Sequence, residues 1–158
     1  MSQLAKWLRH EQVQYVDRVV DWKQAVQIAG RPLRDQGAIS QDYIDAIIRQ
    51  KEDVGPYFVI APRIAMPHAR PEEGANTLGL SVVKLQHAVE FDSAENDPVD
   101  VIFMFSAPDS HSHIEMISHL AEVLSDDDIM QRIYASRSQQ QLIDLLLAGD
   151  TVSDSEQS

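Results

Sequence analysis

Two apolar runs, TLGLSVVKL at residues 77–85 and VDVIFMF at residues 99–105, constrain this chain more than any other feature. Each is short, partly β-branched and almost free of charge, the pattern of a central strand rather than an amphipathic helix. What surrounds them has the helical period. Asp21 is a good N-cap for a segment with Trp22, Ala25, Val26, Ile28 and Ala29 on one side, and Gly37 is its natural stop. Pro32 falls inside that segment and is expected to kink or split it. Ser40 caps a second helix carrying Tyr43, Ile44, Ile47 and Ile48 at helical spacing.

Residues 13–20 alternate at first and read as a strand, and residues 57–60 read as a short buried one. Residues 89–91 add a possible edge piece. Between residues 61 and 74 stand Pro62, Pro67 and Pro71, so that stretch cannot be regular throughout. Beyond a loop at 106–111, a helix is expected from about Ser112 to Ser125. Another starts at Asp126, with Asp127 and Asp128 where the helix dipole favours acids. A last one runs from Ser138 to Gly149. Helices and strands interleave, which is the signature of an α/β layered fold.

The chain has 158 residues, enough for one domain that buries roughly 70% of its unfolded surface. Thirteen Lys and Arg against twenty-five Asp and Glu give a formal charge of −12. That balance disfavours nucleic acid and anionic membrane surfaces, and it suits a partner with a basic face. With no cysteine, disulfides and thiolate chemistry are excluded. No stretch approaches the ~20 apolar residues of a membrane span, and residues 1–14 do not read as a signal peptide, so a cytoplasmic protein is expected. Residues 150–158 are polar and are expected to form a disordered tail after a domain at 1–149.

Six histidines can carry chemistry: His10, His68, His87, His111, His113 and His119. His10 and His87 sit in polar surroundings, and His119 reads as an ordinary helix residue. His68 follows Pro67, which has a fixed φ and no N–H, at the end of a strand-like approach where α/β folds place ligands. His111 and His113 follow the second apolar run at a helix start, where free N–H groups welcome an anion, and Ser112 could cap that helix. His68 and His113 could then face one crevice. A metal-binding module using His68, His111 and His113 is the rival, though His-Ser-His is a poor chelate on a helix. Neither a nucleophile elbow nor a phosphate-binding Walker loop is present.

The string Gly55-Pro56-Tyr57-Phe58-Val59-Ile60-Ala61-Pro62, followed by Ala65-Met66-Pro67-His68 and Arg70-Pro71-Glu72-Glu73-Gly74, resembles the enzyme IIA components of the phosphoenolpyruvate-dependent sugar phosphotransferase system. The class is the mannitol–fructose one (EIIA type 2), and the ascorbate-specific branch is the most similar. Asn96-Asp97-Pro98-Val99-Asp100 and His113-Ile114 fit the same pattern.

The resemblance implies a three-layer fold, a mixed β-sheet flanked by helices. It implies that His68 is the phosphohistidine, phosphorylated at the tele nitrogen, with His113 assisting. The donor would be the carrier protein HPr, and the acceptor a cysteine of a cognate enzyme IIB that serves a membrane enzyme IIC. No cofactor is implied, and a homodimer is left open. A nitrogen-type regulatory enzyme IIA would keep the same fold for a different purpose. One departure stands out: the mannitol members' active-site arginine corresponds here to Glu52, with Arg49 and Lys51 out of register. Arg70 is a local substitute on physical grounds, together with Ser112 as a phosphate donor. Arg63, in the same loop, is a weaker candidate.

Overall fold

The computed structural model describes residues 4–148. The two apolar runs form the centre of a five-stranded mixed sheet: β4, Gly79–Val89, lies antiparallel to β5, Val99–Ser106. On the far side of β4, β1 (Val13–Val16) pairs in parallel, and on the far side of β5, β3 (Ile64–Ala65) pairs in parallel. The edge strand β2, Val59–Ala61, closes the order β1-β4-β5-β3-β2.

Both faces of the sheet are covered, which is why its central strands carry no polar alternation. Val83, Leu85, Ile102 and Met104 point to one face. There they meet Val26, Ala29 and Leu33 of α1 (Trp22–Asp35) and Tyr43, Ile44 and Ile47 of α2 (Gln41–Val54). Leu80, Val82, Val101 and Phe103 point to the other. They pack on Met116, Leu120 and Val123 of α3 (Ile114–Ser125), Met130 and Ile133 of α4 (Asp127–Ala135), and Leu142 of α5 (Gln139–Ile143). Leu4 and Leu8 complete that second core. Where α1 meets α2, Gly30 lies so close to Ile44 that an added Cβ would stand 2.6 Å from its side chain.

Capping follows the expected chemistry in three places. Asp21 accepts from the Gln24 N–H, Asp126 from Ile129 and Ser138 from Gln141. Gly37 and Gly55, with φ of 81° and 97°, follow α1 and α2.

Several expectations are corrected. Pro32 does not split α1, which runs unbroken to Asp35. The carbonyl it orphans, that of Ile28, is taken by the Gln14 side-chain amide at 2.9 Å. The first strand stops at Val16, and Val20 is exposed. Val89 belongs to β4 and pairs with Val99 rather than forming a separate edge piece. The short strand is shifted to Val59–Ala61, and the proline-rich stretch contains β3. The last helix ends in a π-helical turn, Asp144–Ala148. The expected tail at 150–158 lies outside the described residues.

Candidate active site

β3 and β5 run parallel, so the chain leaving each one emerges at the same edge of the sheet. Their register pairs Ala65 with Ile102, and three residues further along stand His68 and Phe105. The Phe105 N–H reaches the Pro67 carbonyl at 3.4 Å, and the His68 ring stacks on the Phe105 ring at 4.7 Å between centroids. Phe105 also stacks on His113, at 6.1 Å and 11° between planes. One aromatic side chain thus aligns both imidazoles.

His68 is half-buried and held from several directions. Its Nδ1 lies 2.9 Å from the Met66 carbonyl, which can only accept, so Nδ1 carries the proton and Nε2 keeps a free lone pair. Tyr57 donates its hydroxyl to the His68 carbonyl at 2.7 Å, and its ring meets the imidazole edge-on. The Gln50 side chain lies 3.2 Å from the same hydroxyl. Tyr43, fully buried on α2, accepts the Ala69 N–H at 3.0 Å and reaches the Phe105 carbonyl at 2.9 Å. Burial pushes the Tyr43 phenol up to about 12, against the opposing pull of its Ala69 backbone hydrogen bond. The residue after His68 is therefore stapled to the end of β5 by a neutral hydroxyl.

His68, Arg70, Phe105, Asp109 and His113 line one cleft of about 400 Å³, with Gln50 and Tyr57 on its wall. His113 is the N-cap of α3. Its Nδ1 is buried without a hydrogen-bond partner among the described residues. Arg70 is exposed and makes no ion pair among the described residues. Ser112 is not part of the lining and is not the cap, which falls one position later than expected, at His113. The Ser112 backbone N–H donates to Asp109 Oδ1 at 2.7 Å, as does that of His111 at 2.8 Å. Those two bonds, the Ser112 one first, hold the Asp109 carboxyl below its usual range.

The remaining candidates lie elsewhere. His111 is exposed beside Ser110, His87 bonds the Asp17 carbonyl, and His119 packs on Trp7. Among the described residues no three His, Asp or Glu side chains gather into a metal-holding group. Glu52 pairs with Lys23, Arg49 with Glu73, Lys51 with Asp92 and Arg63 with Asp100. The side chain that α2 does present to the cleft is Gln50.

Sequence reasoning passed over Gln50, Tyr43, Tyr57, Phe105 and Asp109. Tyr57 lay inside the quoted string, and Tyr43 and Phe105 carried only an apolar period that any core residue would show.

The sheet is that of an α/β module with two imidazoles at the shared end of its parallel strands, and comparison with known proteins assigns its family. Residues 6–149 match the family model described as "Phosphoenolpyruvate-dependent sugar phosphotransferase system, EIIA 2", and the chain belongs to that family. It is 39% identical over 126 residues to the ascorbate-specific PTS system EIIA component of Escherichia coli K12, covering 79% of this chain and 82% of the relative. It is 34% identical over 146 residues to the mannitol-specific cryptic phosphotransferase enzyme IIA component of the same strain, covering 92% and 99%. The solution structure of that type of enzyme from E. coli superposes with a TM-score of 0.85 at 33% identity, over 91% of this chain and 97% of the other. The E. coli mannitol enzyme IIA, solved in complex with phosphorylated mannitol enzyme IIB, shares the fold: TM-score 0.74 at 22% identity, over 90% and 97%.

Proposed function

We propose that this enzyme IIA accepts a phosphoryl group from HPr on His68 Nε2 and passes it to a cysteine of a cognate enzyme IIB. The observation that carries the reading is the locked tautomer of His68: Nδ1 is committed to the Met66 carbonyl, so the free lone pair lies on the tele nitrogen. As the new Nε2–P bond forms, the donor's N–P bond breaks and its electron pair returns to the donor imidazole. The His68 ring becomes a phosphoimidazolium while the donor ring returns to neutral, so no net proton is required. The Met66 carbonyl, already facing Nδ1–H, stabilises that positive ring.

Phosphoryl transfer asks a protein mainly for positioning and for donors to three equatorial oxygens. Phe105 supplies alignment, and His113 and Arg70 are the donors that share the cleft. Resemblance to the ascorbate-specific relative at 39% identity supports ascorbate or a related carbohydrate as the cargo of the associated enzyme IIC. Residues 1–149 would act as one cytoplasmic module. No helix among the described residues is long and apolar enough to cross a membrane.

The test is incubation with phosphoenolpyruvate, enzyme I and HPr, followed by mass analysis. One acid-labile phosphate on His68 is expected, and none on His68→Ala. Phosphate taken up by the His68→Ala variant would overturn the assignment. Addition of the ascorbate and mannitol enzymes IIB to the phosphorylated chain then reads out partner choice, with faster transfer to the ascorbate one expected.

A further inference from the structure

The charged side chains lining the cleft, apart from its histidines, are Arg70 and Asp109, so the fixed charges cancel. That is unexpected in a place meant to receive a dianion. Asp109 is also not idle there: one carboxylate oxygen takes both the His111 and the Ser112 N–H, at 2.8 and 2.7 Å. Those amides belong to the two residues before the N-cap His113, and they fix the carboxylate in place. The chain has placed its own anion on them.

We propose that Asp109 is an internal anion of the cleft that repels the phosphoryl group, so that phosphate on His68 stays poised to leave. The inference rests on the reading of His68 as phosphoacceptor and adds to it the residue that sets how strongly phosphate is held. A phosphoryl group brings close to two negative charges, and a carboxylate sharing a solvated cleft with it raises the energy of the phosphorylated state. Its hydrogen bonds to the two N–H groups keep the carboxylate ionised throughout the neutral range. A carrier benefits from this, because a site that binds its phosphate too well slows the onward step.

Charge and geometry separate cleanly at this position. Asn accepts the same two N–H bonds as Asp but carries no charge. The experiment is the equilibrium partition of phosphate between HPr and the full chain, measured for the wild type, Asp109→Asn and Asp109→Glu at low and at high salt. Asp109→Asn should shift the partition about three- to tenfold toward the phosphorylated chain at low ionic strength, the size of one charge acting across several ångströms of solvent. The shift should shrink toward twofold in about 1 M salt. Asp109→Glu, which keeps the charge, should stay near the wild type. A capping residue with no electrostatic role would leave the partition of Asp109→Asn unchanged. An unchanged partition, or an equal shift from Asn and Glu, overturns the role of Asp109 alone. Failure of the wild type to take phosphate on His68 overturns the underlying reading, and this inference with it.

Discussion

The two ends of the β3–β5 pair are built on opposite principles. At the end where β5 begins, the buried charges are paired. Arg63 grips Asp100 through two bonds of 3.0 and 2.7 Å, and Lys84 reaches the same carboxylate at 3.1 Å. The Arg63 guanidinium lies 3.8 Å from the centre of the Tyr134 ring. Asp100 and Lys84 are almost wholly buried. At the other end, His68 and His113 sit half-exposed around Phe105, and Arg70 makes no ion pair among the described residues. The first end satisfies its polar groups internally and holds α4 against the sheet. The second leaves donors and a lone pair open to solvent, where a partner molecule can reach them. The Asn96-Asp97-Pro98-Val99-Asp100 motif, recognisable in the sequence, thus belongs to the structural end. Asp97 fastens the backbone of Phe91 and Ser93, and Asp100 anchors the cations.

Substitutions that break the contrast should therefore separate stability from transfer. The largest effect on stability is expected for Asp100→Ala. Lys84 would stay buried without its counterion, a change that costs about 3–5 kcal/mol in comparable sites. Calorimetry should show Tm lowered by about 6–20 °C for a chain of this length. Phosphate acceptance on the folded fraction should be unaffected. His113→Ala should do the converse. Loss of one transition-state donor costs about 2.7–4 kcal/mol, so rapid-quench transfer from HPr should slow by about 10²–10³ while Tm stays within a few degrees.

Tyr43 joins the two properties, because its buried hydroxyl fastens the residue after His68 to the end of β5. Tyr43→Phe leaves the Ala69 N–H without its partner, for about 1–3 kcal/mol. The transfer rate should fall alongside stability. The phenol also imposes a pH dependence. Its folded value of about 12 lies above the ordinary 10, so between those two pH values the folded state binds more protons than the unfolded one. Stability from this group is complete below pH 10 and is lost as pH rises toward 12, by up to about 2–3 kcal/mol. Alkaline denaturation of Tyr43→Phe should lack that part of the slope; a slope equal to the wild type's would place the effect elsewhere.

Much of this architecture is legible in the sequence because it depends on local patterns. The runs at 77–85 and 99–105 became β4 and β5, and Asp21, Asp126 and Ser138 cap helices as their side chains dictate. The place of His68 just past a strand was legible through Pro67 and the surrounding string. What was not legible depended on partners distant in sequence. Pro32 is tolerated only because Gln14, from β1, meets the Ile28 carbonyl. Ser112 is not the cap because the helix begins one residue later, and its N–H bonds Asp109 instead. Gln50 and Tyr57 enter the cleft through the angle between α2 and the loop that follows, which no periodicity encodes.

The smallest effect is the one that most sharpens the comparison. Arg63 and Arg70 stand on the same proline-rich stretch, seven positions apart, one paired and one not. Arg63→Ala should lower Tm, since it removes a two-point grip on Asp100 and the contact with Tyr134. Arg70→Ala should leave Tm unchanged and slow transfer only modestly. An exposed guanidinium acts through solvent, where a charge pair is worth about 0–1 kcal/mol, so the decline should be less than about fivefold. It should vanish at high salt, because screening already removes most of such an interaction. A loss of a hundredfold or more on Arg70→Ala would mean that this loop closes over the phosphate and buries the guanidinium against it. Arg70 would then supply the fixed cation that α2, which presents Gln50 to the cleft, does not.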